Sequence, residues 1–197
     1  DHFQENGKHI SDMFNQSSFT TTTVVDQRNA VKVDKNLDLR KLGPLGCGYV
    51  TGSGTVLNTL QPKPGDTIAV FGTGAVGLAA MMAGRISGCI KVIAVDIVPE
   101  RLELAKELGA THTINSKEED AVAKIKELTN GYGVDWTVDT TGLPAVIKNG
   151  VDALAQGGTC AAIAVTPHLI EISTWNDLCV DDKKIVGVNM GDSIPQI

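Results

Sequence analysis

The chain has 197 residues, a formal net charge of −6 and a hydrophobic fraction of 42%. This length suffices for one full domain and part of a second, and the acidic balance excludes a basic face for nucleic acid or for an anionic membrane. No apolar run is as long as a membrane span and no signal peptide is visible, so we expect a cytoplasmic protein whose four scattered cysteines are reduced thiols.

Residues 1–40 lack the regular alternation of strands and helices found in the rest of the chain. Residues 1–16 are polar and irregular, whereas 18–25 and 30–33 are rich in β-branched residues and predict strands. We assign 1–40 to the end of an all-β domain and 41–197 to a separate α/β domain. Pro44 and several glycines interrupt the segment that joins them, before a helical stretch near Gly54–Leu60.

The centre of the α/β domain is a strand–turn–helix–strand unit. The apolar strand Thr67–Phe71 is followed by the turn Gly72–Gly77 (GTGAVG), a helix of small residues, and a second strand that ends at Asp96. Each glycine has its own task in such a turn. Gly72 permits the tight turn, Gly74 lets the backbone approach a pyrophosphate, and Gly77 allows close packing of the helix.

Asp96 follows the glycine turn by about 20 residues, where a carboxylate accepts hydrogen bonds from an adenosine ribose. A 2′-phosphate would be repelled at that position, so the pattern favours NAD over NADP. Two alternatives remain open. The turn is also compatible with an ordinary α/β connection, or with an S-adenosylmethionine site, although no acid stands just before Gly72 as such a site would favour.

The remaining elements continue the βα alternation and complete a doubly wound parallel sheet of six strands, with the ligand at the carboxyl ends of the strands. The predicted helices are 99–109, 117–129, 144–155 and 175–182, and the predicted strands are 112–115, 134–138, 159–165 and 184–190.

Two flanking segments give the chain a family likeness. The segment Gly43–Gly52 (GPLGCGYVTG) precedes the glycine turn, and Glu103–His112 (ELAKELGATH) follows it. With both flanks, the whole chain resembles the zinc-dependent medium-chain alcohol dehydrogenases, closest to the aryl- or benzyl-alcohol branch. The resemblance implies a coenzyme-binding Rossmann domain preceded by the end of a GroES-like catalytic domain. It also implies zinc-assisted, NAD-dependent oxidation of a primary aromatic alcohol to its aldehyde, or the reverse reaction.

The resemblance also implies roles for individual residues. Cys47 matches a ligand of the catalytic zinc, and Thr51 matches the threonine beside the nicotinamide. The positions that match cofactor-binding residues are Gly72, Thr73, Gly74, Ala75, Val76, Gly77, Asp96, Ile97, Arg101, Thr140, Thr141, Ile163, Val165, Val188, Asn189 and Met190. Without the family context, Cys47 is better explained as a small buried side chain, and Arg101 is equally compatible with an exposed helix residue paired with Glu103 or Glu107.

In this family the other zinc ligands and the proton-relay hydroxyl precede the position equivalent to Asp1, so we expect this chain to bind nucleotide without completing the chemistry. The implied partners are a small alcohol or aldehyde and a second copy of the chain, in a homo-dimer or homo-tetramer formed through the Rossmann domain by way of Leu169–Ser173. A non-catalytic NAD-binding module and another medium-chain reductase or dehydrogenase are the alternatives. A short-chain dehydrogenase needs Tyr-x-x-x-Lys, which neither tyrosine provides.

Overall fold

The structure, a computed structural model, describes residues 3–10 and 21–194. The chain divides into two compact units, one formed by residues 1–40 and 194–197 and the other by Lys41–Ser193. Within the described residues, no helix is long and apolar enough to cross a membrane.

The first unit contains a short hairpin that the sequence analysis did not predict. Strands β1 (Phe3–Glu5) and β2 (Lys8–Ile10) pair antiparallel. The turn between them, Asn6-Gly7, has positive φ angles of 52° and 75°. An Asn-Gly pair suits the tight turn of a two-residue hairpin, because both residues tolerate this backbone region. The assignment of 1–16 as irregular was therefore wrong for the hairpin residues, while 11–16 lie outside the described residues.

The two strands predicted within residues 18–33 are not found where the structure describes the chain. Residues 18–20 lie outside the described ranges, 21–25 and 30–33 form no strand, and a 3₁₀ turn at Gln27–Asn29 lies between them. Val24 and Val31 are exposed. A β-branched run favours a strand only where a partner strand and an apolar surface receive it, and these residues have no such burial.

The second unit is a six-stranded parallel sheet covered by helices, which confirms the predicted fold class. Its strands are β3 (Thr67–Phe71), β4 (Lys91–Asp96), β5 (His112–Asn115), β6 (Val134–Asp139), β7 (Leu154–Ala162) and β8 (Lys184–Gly187). Its helices are α1 (Val50–Gly54), α2 (Ala75–Ile86), α3 (Pro99–Glu107), α4 (Ala121–Leu128) and α5 (Pro144–Asp152). The π-helical turns Leu45–Tyr49 and Thr55–Leu60 extend α1 at both ends.

The strand order is β5-β4-β3-β6-β7-β8, so the chain winds outward from β3 in one direction and then in the other. The parallel partners of Phe71 are Val95 on one side and Asp139 on the other. β3 and β6 therefore end side by side, and the loops that follow them leave the sheet at neighbouring positions. A crevice at the carboxyl ends of the strands is the usual ligand position in this topology.

Several predicted boundaries differ from the observed ones. The helix expected near Gly54 begins at Leu45, and the strand expected at 159 begins at Leu154, with a register shift between Val134 and Trp136 on β6. Helix α5 ends at Asp152, before its predicted end at 155, and Gly157, with a φ of 77°, lies within the irregular strand. The last strand is shorter than predicted and ends at Gly187. The predicted helix 175–182 is a π-helical turn at Thr174–Cys179.

Apolar side chains cover both faces of the sheet. Ile68 and Val70 share a core with Met81 of α2, whereas Ala69 and Phe71 share the opposite core with Ile125 of α4. This alternation explains why β3 is an unbroken apolar run, since a parallel strand is buried on both faces. Helix α1 also packs closely on α2. A Cβ added to Gly52 would lie 2.0 Å from the backbone oxygen of Val76.

Candidate functional site

The turn after β3 leaves no room for side chains at two of its three glycines. Gly72 has a φ of 88°, and a Cβ there would lie 2.5 Å from Thr140 Oγ1. A Cβ on Gly77 would lie 1.9 Å from the backbone oxygen of Gly72. Around Gly74, in contrast, no atom lies within 4 Å of the Cβ position. Gly72 and Gly77 are therefore required by the fold, whereas Gly74 borders open space that a ligand can occupy.

Helix α2 begins immediately after this open position. It runs for 12 residues from Ala75, and no side chain caps it at Gly74. The first N–H groups of an α-helix lack intrahelical partners and carry the positive end of the helix dipole. Together with the open space at Gly74, they form a place where a phosphate group can be bound by backbone donors.

Asp96 lies at the end of β4 beside this turn and is 6% exposed. Its Oδ2 accepts hydrogen bonds from the backbone N–H (2.6 Å) and the hydroxyl (2.7 Å) of Thr73. Its Oδ1 accepts from the N–H groups of Ile97 (2.7 Å) and Val98 (3.0 Å). Burial acts to raise the pKa of this carboxyl, but the hydrogen bonds outweigh it and hold the pKa below its usual value. Asp96 is therefore ionised at neutral pH.

A cavity of about 370 Å³ opens at the carboxyl ends of the strands, between the glycine turn and the loops after β4 and β6. This volume lies within the range of small-molecule and cofactor sites. The sequence-predicted residues that line it are Gly72, Gly74, Ala75, Val76, Asp96, Ile97, Arg101, Thr140 and Thr141. Its charged lining consists of the Asp96 carboxylate and the Arg101 guanidinium.

The other predicted cofactor residues do not line this cavity. Thr73 and Gly77 belong to the glycine turn but face the protein: Thr73 bonds to Asp96, and Gly77 lies against the Gly72 backbone oxygen. Ile163 and Val165 follow β7, and Val188, Asn189 and Met190 follow β8, at the same edge of the sheet. Ile163 and Val188 pack partly buried against the core, whereas Val165 is fully exposed.

Thr51 lies on α1, in contact with the turn that follows β8. Its hydroxyl donates to Met190 Sδ at 3.8 Å. Met190, Gly191 and Asp192 all have positive φ angles. The Asn58 amide holds this turn by donating to the backbone oxygens of Gly191 (3.0 Å) and Asp192 (3.1 Å). The structure thus brings Thr51 and Met190 together as a second group of predicted residues, distinct from those that line the cavity.

Cys47 is exposed in the π-helical turn Leu45–Tyr49. The neighbouring Gly48 lies against α2, where its Cβ position is 3.6 Å from the Ala75 Cβ. A catalytic zinc site needs three protein ligands, and no group of three or more His, Cys, Asp or Glu residues in the described part of the chain is arranged to hold a metal ion. The described residues therefore do not by themselves form a complete zinc site.

Several residues that line the cavity were not predicted from the sequence. Ser116 follows β5, Leu143 precedes α5, and Val146 and Asn149 lie on α5. The position of Ser116 one residue after a predicted parallel strand could have identified it, because such positions meet at the carboxyl edge. Asn149 carries no comparable signal, since it lies in the middle of a helix.

The strand order, with a crevice at the switch point between β3 and β6 where the winding direction reverses, defines a Rossmann-type α/β domain. A model of the zinc-binding dehydrogenase family matches residues 75–197. The chain therefore belongs to the zinc-binding dehydrogenases.

Individual relatives agree with this assignment. A probable alcohol dehydrogenase of a Pseudomonas species is 37% identical over 91% of this chain and 58% of its own length. The geraniol dehydrogenase of Castellaniella defragrans is 40% identical over 93% of this chain and 49% of its own length. The chain thus spans about half the length of the curated relatives it matches. The crystal structure of benzyl alcohol dehydrogenase from Acinetobacter calcoaceticus superposes with a TM-score of 0.87 and 45% identity, over 92% of this chain and 50% of that one.

Proposed function

We propose that this chain is the coenzyme-binding portion of an NAD-dependent alcohol dehydrogenase that interconverts a primary aromatic alcohol and its aldehyde. The observation that carries the proposal is the cavity itself. It joins an uncapped helix N-terminus, an open glycine and a buried ionised carboxylate at the switch point of the sheet. The relatives named for benzyl alcohol and geraniol support the alcohol as substrate.

Each part of the cavity has a task in this function. The N–H groups at the start of α2 and the open space at Gly74 would bind the pyrophosphate. Asp96 would accept hydrogen bonds from the adenosine ribose hydroxyls, and its negative charge would repel a 2′-phosphate. Ile97 and Arg101 would flank the adenosine. The nicotinamide, when bound, supplies the acceptor for a hydride.

The second group of predicted residues would serve the other end of the coenzyme. The nicotinamide would lie at the carboxyl ends of the strands, near Thr51, Ile163, Val165 and the segment 188–190. Thr140 and Thr141 would lie between the adenosine and the nicotinamide. Cys47 would contribute one thiolate to a zinc site that residues outside the described part of the chain complete. The intact protein would form a homo-dimer or homo-tetramer through Leu169–Ser173.

The direct test is a fluorescence titration of the chain with NADH and NADPH. We expect NADH to bind more tightly, and Asp96→Asn to weaken NADH binding by about tenfold or more, because a hydrogen bond to a charged group contributes about 1.5–3 kcal/mol. Asp135→Asn is the matched control. The Asp135 carboxylate accepts the same pair of hydrogen bonds, from the N–H and the hydroxyl of Thr67, but at the amino-terminal ends of the strands.

Equal affinity for the two coenzymes, or an unchanged NADH affinity in a folded Asp96→Asn chain, would contradict the proposal. A non-catalytic NAD-binding module is the second candidate. Oxidation of benzyl alcohol with NAD by the intact protein would decide against that candidate.

A further inference from the structure

Thr73, the residue between the first two glycines of the turn, makes an unusual contact with Asp96. It is 1% exposed, and both its N–H and its hydroxyl donate to the same oxygen of Asp96, at 2.6 and 2.7 Å. The cavity is lined by Asp96 but not by Thr73. The hydroxyl therefore bonds to the carboxylate on a side that does not line the cavity.

An ionised carboxylate only accepts hydrogen bonds, and each of its two oxygens can accept more than one. In Asp96, Thr73 provides two donors to Oδ2, and Ile97 and Val98 provide one each to Oδ1. Three of these four donors are backbone N–H groups that no ordinary substitution removes. The Thr73 hydroxyl is the single side-chain donor of the set, so its presence depends on the residue chosen at this position.

We propose that Thr73 is a positioning residue that sets the choice between NADH and NADPH by fixing the orientation of the Asp96 carboxylate. This inference rests on the proposed function. Without the hydroxyl, Oδ2 would keep one donor, the carboxylate could turn about its Cβ–Cγ bond, and its ionised form would lose one stabilising bond. The ribose hydroxyls would then meet a less well oriented acceptor, and a 2′-phosphate would meet weaker repulsion.

A purely structural role for Thr73 would give a different result. A hydroxyl that only tightens the glycine turn would, when removed, weaken the binding of NADH and NADPH by the same factor. The ratio of the two dissociation constants therefore separates a positioning role from a structural one, because only the 2′ substituent of the ribose differs between the coenzymes.

The experiment measures this ratio for the chain and for Thr73→Val and Thr73→Ser by fluorescence titration. In Thr73→Val, we expect the NADPH-to-NADH ratio of dissociation constants to fall by threefold to tenfold, mainly through weaker NADH binding. Thr73→Ser retains the hydroxyl and should keep the ratio within twofold of the unsubstituted chain. If the valine variant does not fold, Thr73→Ala removes the same hydroxyl with no added methyl group.

Thr67→Val is the matched control. Thr67 donates its N–H and its hydroxyl to Asp135 Oδ2, both at 2.7 Å, in the same pattern but at the amino-terminal edge of the sheet. This variant should lower the stability of the chain and leave the ratio unchanged.

An unchanged ratio in a folded Thr73→Val or Thr73→Ala chain would overturn the inference, as would a serine variant that behaves like valine. Either outcome would overturn the inference alone, and the proposed function would stand as long as the unsubstituted chain prefers NADH. A folded chain that binds neither coenzyme would instead overturn the proposed function, and the inference with it.

Discussion

At the scale of single residues, the three glycines of the turn after β3 are not equivalent. The Cβ positions of Gly72 and Gly77 coincide with atoms of the fold, whereas that of Gly74 meets open space. Gly74 also has a φ of −74°, which any residue can adopt. A side chain at Gly74 therefore costs the fold little and occupies the space proposed for the pyrophosphate.

Two alanine substitutions separate these requirements. Gly77→Ala should lower the free energy of unfolding by about 1–3 kcal/mol, because its methyl group overlaps the Gly72 oxygen. Gly74→Ala should lower it by about 1 kcal/mol or less, because alanine is a poorer N-cap than glycine, and should weaken NADH binding on the order of tenfold, equivalent to about 1.4 kcal/mol. Urea unfolding and NADH titration measure the two effects. Unaltered NADH affinity in Gly74→Ala would place the pyrophosphate elsewhere.

At the scale of elements, the short strands of the first half of the sheet were the most predictable part of the chain. β3 and β5 have the predicted bounds, since each is a short run closed by turn residues, and the turn and Asp96 are local to them. The hairpin at Asn6-Gly7 was missed because its strands are three residues long and polar. Asn149 reaches the cavity only through the tertiary fold, so no local pattern marks it, whereas Ser116 follows a predicted strand by one residue.

The contact between the α1 segment and the turn after β8 joins residues that are far apart in the sequence. The Asn58 amide crosses to Gly191 and Asp192, and a Cβ on Gly54 would lie 2.3 Å from the Gly191 oxygen. Three successive residues with positive φ depend on this support, because such backbone is costly outside glycine.

Asn58→Ala should loosen this turn without unfolding the sheet. Loss of one hydrogen-bonding side chain is worth about 1 kcal/mol, so we expect amide exchange at 189–193 to accelerate by about fivefold. Exchange in β3 and β4 should not change. Ser53→Ala is the control, because the Ser53 hydroxyl donates to the Tyr49 oxygen within the same helical segment. Faster exchange throughout the sheet would mean that Asn58 supports the fold as a whole.

At the scale of the whole molecule, the exposed segment between β7 and β8 is the proposed contact with a second copy. Leu169 and Val165 are among the most exposed apolar side chains of the described residues, at 93% and 104%. β8 is an edge strand of the sheet. Exposed apolar side chains favour association, and so does a strand edge, because it presents unpaired backbone donors and acceptors.

Sedimentation of the chain should show a dimer or a tetramer, and Leu169→Asp should shift it toward the monomer, because a charge in an apolar contact is costly. Tyr132→Asp is the control, since Tyr132 is 79% exposed in the loop that precedes β6. A monomer at every concentration, or equal effects of the two substitutions, would rule out this contact.

The strand order also has a consequence for the way the chain folds. β3, β4 and β5 follow one another along the sequence and in the sheet, so each can pair with the strand that has just formed. β6 must instead return to β3, and the bond between Thr67 and Asp135 closes a separation of 68 residues. Because long loops cost more entropy to close and slow the formation of distant contacts, we expect the β3–β5 half to assemble first. The crevice at the switch point would then come into being only at this late step.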